Sequence, residues 1–88
     1  MPFVPDNNKI GISNVLEFCK ELLWLIESKD KPIVDLSNVD SMDIAALQSL
    51  VCAKMYADSV GKNLTFTNIS SRLFEVFETT GTNRFFGL

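Results

Sequence analysis

Two carboxylates three residues apart, Asp40 and Asp43, bracket Ser41 in the stretch Val34-Asp-Leu-Ser-Asn-Val-Asp-Ser-Met-Asp-Ile-Ala-Ala-Leu47. They are the residues whose types and spacing most invite chemistry, because close carboxylates can hold a hard cation or divide acid and base roles. Helix capping by Asp43 and loop solvation of Asp40 explain them more simply, since Asp directly ahead of an apolar run is a helix-start signal. Ser37 and Ser41 offer hydroxyls to a kinase, but the chain has no His to act as a base and no glycine-rich phosphate loop. Cys19 and Cys52 lack a CxxC spacing, so a zinc site has no support and both read as small apolar thiols. The expectation is a chain without enzymatic activity, bound metal or cofactor.

These residues need a scaffold, and the hydrophobic pattern supplies one. Met1 to Ile12 reads as short extended pieces broken by Pro2, Pro5 and the Asp6-Asn-Asn8 turn cluster, with room for a brief hairpin. Ser13 or Asn14 caps a helix to about Ser28, Glu17 giving a capping-box spacing from Asn14, and Lys29-Asp-Lys-Pro32 ends it. Ile33 to Leu36 is apolar apart from Asp35, as a central strand is. It passes through a short polar loop into a helix from Asp43 to Val60, which Gly61 terminates. Asn63 to Thr67 alternates as a strand, Ser70 or Ser71 caps a last helix to about Thr79, and Gly81 stops it ahead of an apolar tail, Arg84-Phe-Phe-Gly-Leu88. Alternating strands and helices with short connections predict an α/β fold, a small mixed or parallel sheet with helices packed on it.

Eighty-eight residues suit one small domain, residues 1–88, with a single core. A net charge of −3 with eight scattered basic residues argues against nucleic acid, because phosphate binding needs Lys and Arg grouped on one face. No apolar run approaches the roughly 18 residues of a membrane span and the N-terminus does not read as a signal peptide. Membrane insertion is not expected, and the cytoplasm is the default location.

The apolar strand, Asp35-Leu-Ser, the polar connection, Asp43-x-Ala-x-Leu-Gln48 and the small-residue helix resemble the STAS domain, the module of bacterial anti-sigma-factor antagonists. The resemblance runs from Ile10 to Leu88 and includes Asp58-Ser-Val-Gly-Lys-Asn-Leu-Thr-Phe66. It implies a STAS-like fold whose first sheet edge is shortened or supplied by a partner. It also implies a non-catalytic role in protein binding, signal transduction and transcription regulation. Those antagonists carry a phosphorylatable Ser or Thr directly after the helix-opening Asp, and here Ile44 stands there. An aliphatic side chain cannot accept phosphate, so binding would be constitutive or controlled elsewhere, with Ser41 as a substitute phosphosite.

Helical spacing sorts the remaining side chains. At about 100° per residue the first helix gathers Val15, Phe18, Cys19, Leu22, Leu23 and Ile26 in a core-facing sector and leaves Trp24 opposite. Trp24 lies either flat against its neighbours or the N-terminal segment, or serves as a contact anchor. The second helix has a small-residue side, with Ala46, Leu50, Ala53, Ala57 and Val60, and a second stripe of Ile44, Leu47, Val51 and Met55 bordered by Gln48. That stripe is either a recognition surface or buried under the first helix or the tail.

By the resemblance, the docking residues are Asp43, Ile44, Leu47, Gln48, Val51 and Met55, with Trp24 as a further contact. The partner expected is a protein, an anti-sigma kinase-like protein or a subunit of a signalling or transport complex. The alternative is an obligate structural subunit or a homodimer. Small-ligand binding under Phe85 and Phe86 has the least support, because no convergent polar groups mark a ligand site.

Overall fold

A computed structural model describes residues 2–88; Met1, the first residue of the expected extended segment and of the 1–88 domain, lies outside them. The elements are β1 (Lys9–Ile10), α1 (Val15–Ser28), β2 (Ile33–Asp35), β3 (Ser41–Met42), α2 (Ile44–Ser59), β4 (Thr65–Thr67) and α3 (Ser71–Thr80). The fold is the expected α/β architecture, with all strand pairs among the described residues parallel: β1 with β3, and β2 with β4.

Among the described residues no hairpin forms at the N-terminus. Phe3 bridges Val34 in parallel, donating its N–H to Ile33 at 2.9 Å and accepting from Asp35 at 2.8 Å, while Lys9 and Ile10 pair with Ser41 and Met42. Chain-local turn residues suggested a hairpin, but the extended pieces find their hydrogen bonds in strands about 30 residues away, because buried backbone groups must be paired somewhere. The polar loop after β2 likewise contains the two-residue β3, which a window of polar residues conceals.

Each helix begins and ends for a local reason. The Ser70 Oγ accepts the Leu73 N–H at 3.1 Å at the start of α3. Gly61 follows α2 with φ of 76°, a left-handed conformation costly for any residue with a Cβ, and Lys62 N–H returns to the Ala57 carbonyl at 2.8 Å. Asn14 stands at the N-cap of α1 without making the expected capping bond. Its Oδ1 turns back to the Gly11 N–H at 2.8 Å and its Nδ2 donates to the Lys9 carbonyl at 2.9 Å, so it fastens the β1–α1 loop instead. At the other end of α1, the Lys62 ammonium donates to the Ile26 carbonyl at 2.5 Å, a cation placed against the negative pole of the helix.

One core joins the layers. Phe18, Leu22, Leu25 and Ile26 of α1 meet Val34 and Leu36, Ala46, Leu47, Leu50 and Ala57 of α2, and Leu73 and Phe77 of α3. The predicted core sector of α1 is therefore rotated: Leu25 joins it, Val15 and Cys19 are half-buried, and Leu23 is 47% exposed. Helix α1 presses Phe18 and Leu25 into the core and turns Cys19 and Leu23 toward α2, where the helices leave a gap.

Candidate partner-docking site

The β3–α2 junction is built around Asp43. Its Oδ1 accepts the Ala46 N–H at 3.0 Å, satisfying one of the free amides of the helix start, and its Oδ2 accepts the Ile12 N–H at 3.0 Å from across the molecule. These two backbone donors, Ala46 foremost, hold the carboxylate below its ordinary pKa against the opposing cost of desolvation. Gly11 completes the junction, because a Cβ at that position would lie 2.5 Å from Asp43 Oδ2. The carboxylate is thus committed to holding α2 against the β1–α1 loop, and the loop fixes the direction in which the next side chain points.

That side chain is Ile44, 68% exposed on the first turn of α2. The four-residue stripe predicted along this helix is split. Ile44 and Met55, at 59%, are exposed, Val51 is half-buried against the core, and Leu47 is buried at 4%. Leu47 is accordingly corrected from surface to core. Position 47 lies within the core and position 51 packs against it, so a stripe continuous in helical spacing crosses the edge of the core. Gln48 remains exposed, one turn beyond Ile44. On the small-residue side Ala46, Leu50 and Ala57 are buried as expected, while Val60 at the helix end is 47% exposed.

Ser41 is half-buried within β3 and Ser37 and Asp40 are exposed. Trp24 is 64% exposed and borders a shallow depression lined also by Phe3, Lys20 and Glu21, without Ile44. Partial burial, with Glu17 and Asp6 nearby, raises the Glu21 carboxyl above its usual range.

Two features had no clear signal in the sequence. Asp35, at the end of β2, accepts the Ser37 N–H at 2.9 Å and the Asn68 Nδ2 donor at 3.0 Å, and these bonds lower its pKa, the Ser37 amide most. Asn68 sits at a left-handed φ of 56°, so the loops after β2 and β4 are tied together; Asp-x-Ser and an Asn after a strand were the only hints. The second is a groove of about 440 Å³ between α1 and α2, lined by Val15, Cys19 and Leu23 on one wall and Gln48, Cys52 and Tyr56 on the other. At its floor the Cys19 thiol donates to Ser49 Oγ at 3.1 Å.

A family model described as Mlab, STAS domain matches residues 9–88, and the chain belongs to the STAS family. No curated protein matches it in sequence. Among solved structures it is similar to a Thermotoga maritima protein provisionally named an anti-sigma factor antagonist, with 23% identity, a TM-score of 0.77, and 92% of this chain and 72% of that one covered. It is also similar to a sulfate transporter family protein from Wolinella succinogenes, with 14% identity, a TM-score of 0.74, and 97% and 70% covered. The shared fold confirms the STAS-like α/β architecture expected from the strand and helix order.

Proposed function

We propose that this chain is a non-catalytic docking domain whose α2 entrance engages a protein partner. The observation that carries the reading is an exposed aliphatic side chain, Ile44, on a helix start immobilised by the two bonds of Asp43. A rigidly held apolar group contributes to binding with little ordering cost, which is what a small contact surface needs. Gln48 and Met55 continue the surface, Val51 lies at its margin, and Trp24 would make a separate contact.

In this reading Ile44 occupies the place where the antagonists carry their phospho-acceptor, so phosphorylation cannot release the partner there. Binding is constitutive, or controlled through another residue such as Ser41. The partner is an anti-sigma kinase-like protein or a component of a larger assembly. The likeness to a sulfate transporter family protein supports the second of these, a subunit of a transport complex, on fold alone. Among the described residues no helix is long and apolar enough to cross a membrane. A cytoplasmic, bacterial setting with a role in signalling or transcription regulation fits either partner.

The decisive experiment is capture of the partner by the tagged chain from its native lysate, with Ile44→Lys in parallel. Loss of a specific captured protein in Ile44→Lys, at unchanged folding, is the expected outcome. Retention of the same partner at the same affinity would remove Ile44 from the interface. An Ile44→Ser variant labelled by a cognate kinase, with the parent unlabelled at that position, would establish the missing switch.

A further inference from the structure

Cys19 and Cys52 are the only cysteines of the chain, and the fold brings them from different helices to the two walls of the α1–α2 groove. Both are free thiols, Cys52 exposed and Cys19 half-buried. We propose that they form a dithiol switch, which a low-molecular-weight disulfide such as oxidised glutathione converts to an internal disulfide that fastens α1 to α2.

Position and room support the pairing. The Cys19 thiol donates to Ser49 Oγ at 3.1 Å, and Ser49 stands three residues before Cys52 on α2. Side chains at that helical spacing have Cβ atoms about 5–6 Å apart, so the Cys19 sulfur already touches the neighbour of Cys52, and a rotamer change turns it along the helix. A disulfide holds its Cβ atoms about 3.8 Å apart, which requires the walls to close. The groove of about 440 Å³ is the space they close into, and Ala45, Ser49 and Ala53 put only small side chains in the way of a sliding α1.

The chemistry is two successive exchanges. Cys52, the accessible thiol, loses its proton to water and attacks one sulfur of the glutathione disulfide, whose S–S bond breaks as one glutathione thiolate leaves with the electron pair. Cys19 then gives up its proton and attacks the Cys52 sulfur of the mixed disulfide, and the second glutathione thiolate departs. The two thiolates take up the two protons released, so the cysteine pair is oxidised to one disulfide while glutathione disulfide is reduced to two thiols. In a compartment that keeps thiols reduced such a bond is transient, which suits a switch.

Treatment of the folded full chain with excess oxidised glutathione, followed by intact mass spectrometry and peptide mapping, tests this. The parent is expected to end as a monomer two hydrogens lighter, with Cys19 linked to Cys52 and no glutathione retained. Cys19→Ser should stop with one glutathione on Cys52, because the second thiol is gone. Cys52→Ser should acquire glutathione at Cys19 about tenfold more slowly than Cys19→Ser does at Cys52, because access limits exchange. Circular dichroism verifies that each variant is folded. A parent that stays reduced, or keeps glutathione on either cysteine without an internal bond, overturns the proposal. So does a product consisting of linked pairs of chains, or an internal bond that forms only after urea has unfolded the chain.

Discussion

The α1–α2 groove and the C-terminal aromatic cluster are built from similar apolar material and end in opposite conditions. In the cluster, Phe86 lies edge-on to Phe66 at a centroid distance of 5.1 Å and an angle of 81°, and tilts against Phe77 at 5.4 Å. The tail supplies Phe86 as a plug, buried at 7%, so the region considered for a small ligand beneath Phe85 and Phe86 has a ring packed into it. In the groove, Leu23, Cys52 and Tyr56 keep substantial exposure because no later segment folds over them. Apolar side chains are closed off where the chain has a segment to place on them, and where it has none they stay exposed. The proposed docking end at Ile44 shares the open condition, one turn away from a buried Leu47.

The strongest way to break this contrast is to empty the closed side. Phe77→Ala removes a side chain with no solvent exposure, together with its ring contact to Phe86. It should cost about 3–5 kcal/mol, enough to unfold much of so small a domain, as read by urea denaturation. A loss below about 1 kcal/mol would show that the cluster is loosely packed and the contrast with the groove false.

An intermediate effect is expected at the hinge between the two conditions, Asp43. Asp43→Ala removes acceptors for the Ala46 and Ile12 amides and should lower Tm by roughly 5 °C. Because the folded pKa of Asp43 is depressed, its contribution is fully present above the unfolded value, near pH 4, and is lost as pH falls through the folded value. The Tm difference between parent and variant should therefore be constant at neutral pH and shrink in acid below about pH 4. A difference that grows in acid would contradict the lowered pKa.

The smallest change in stability belongs to the open surface. The double variant Ile44→Lys, Met55→Lys alters two side chains that are 68% and 59% exposed, and should shift unfolding free energy by about 0.5 kcal/mol or less while removing partner capture. Val51→Glu is the sharper comparison, since Val51 is half-buried on the margin of the core and should destabilise more than the double variant. Equal melting for the two would place Val51 outside the core.

Local signals carried much of the fold in readable form. Asp43 ahead of Ile44-Ala-Ala, Ser70 ahead of α3, and Gly61 and Gly81 behind their helices act through hydrogen bonds and backbone conformations spanning only a few residues, so residue type alone reveals them. The run Ile33–Leu36, apolar apart from Asp35, and the alternating Asn63–Thr67 likewise declare strands. Tertiary structure decided what depends on distant partners: the parallel pairing of Lys9–Ile10 with Ser41–Met42 and the Asp35–Asn68 tie. It also decided which apolar face of α2 is covered. Helical spacing places Ile44, Leu47, Val51 and Met55 on one stripe, but burial depends on the position of the core edge across that stripe. That edge is set by the packing of α1 and β3 against the helix, long-range contacts to which a local periodicity is blind.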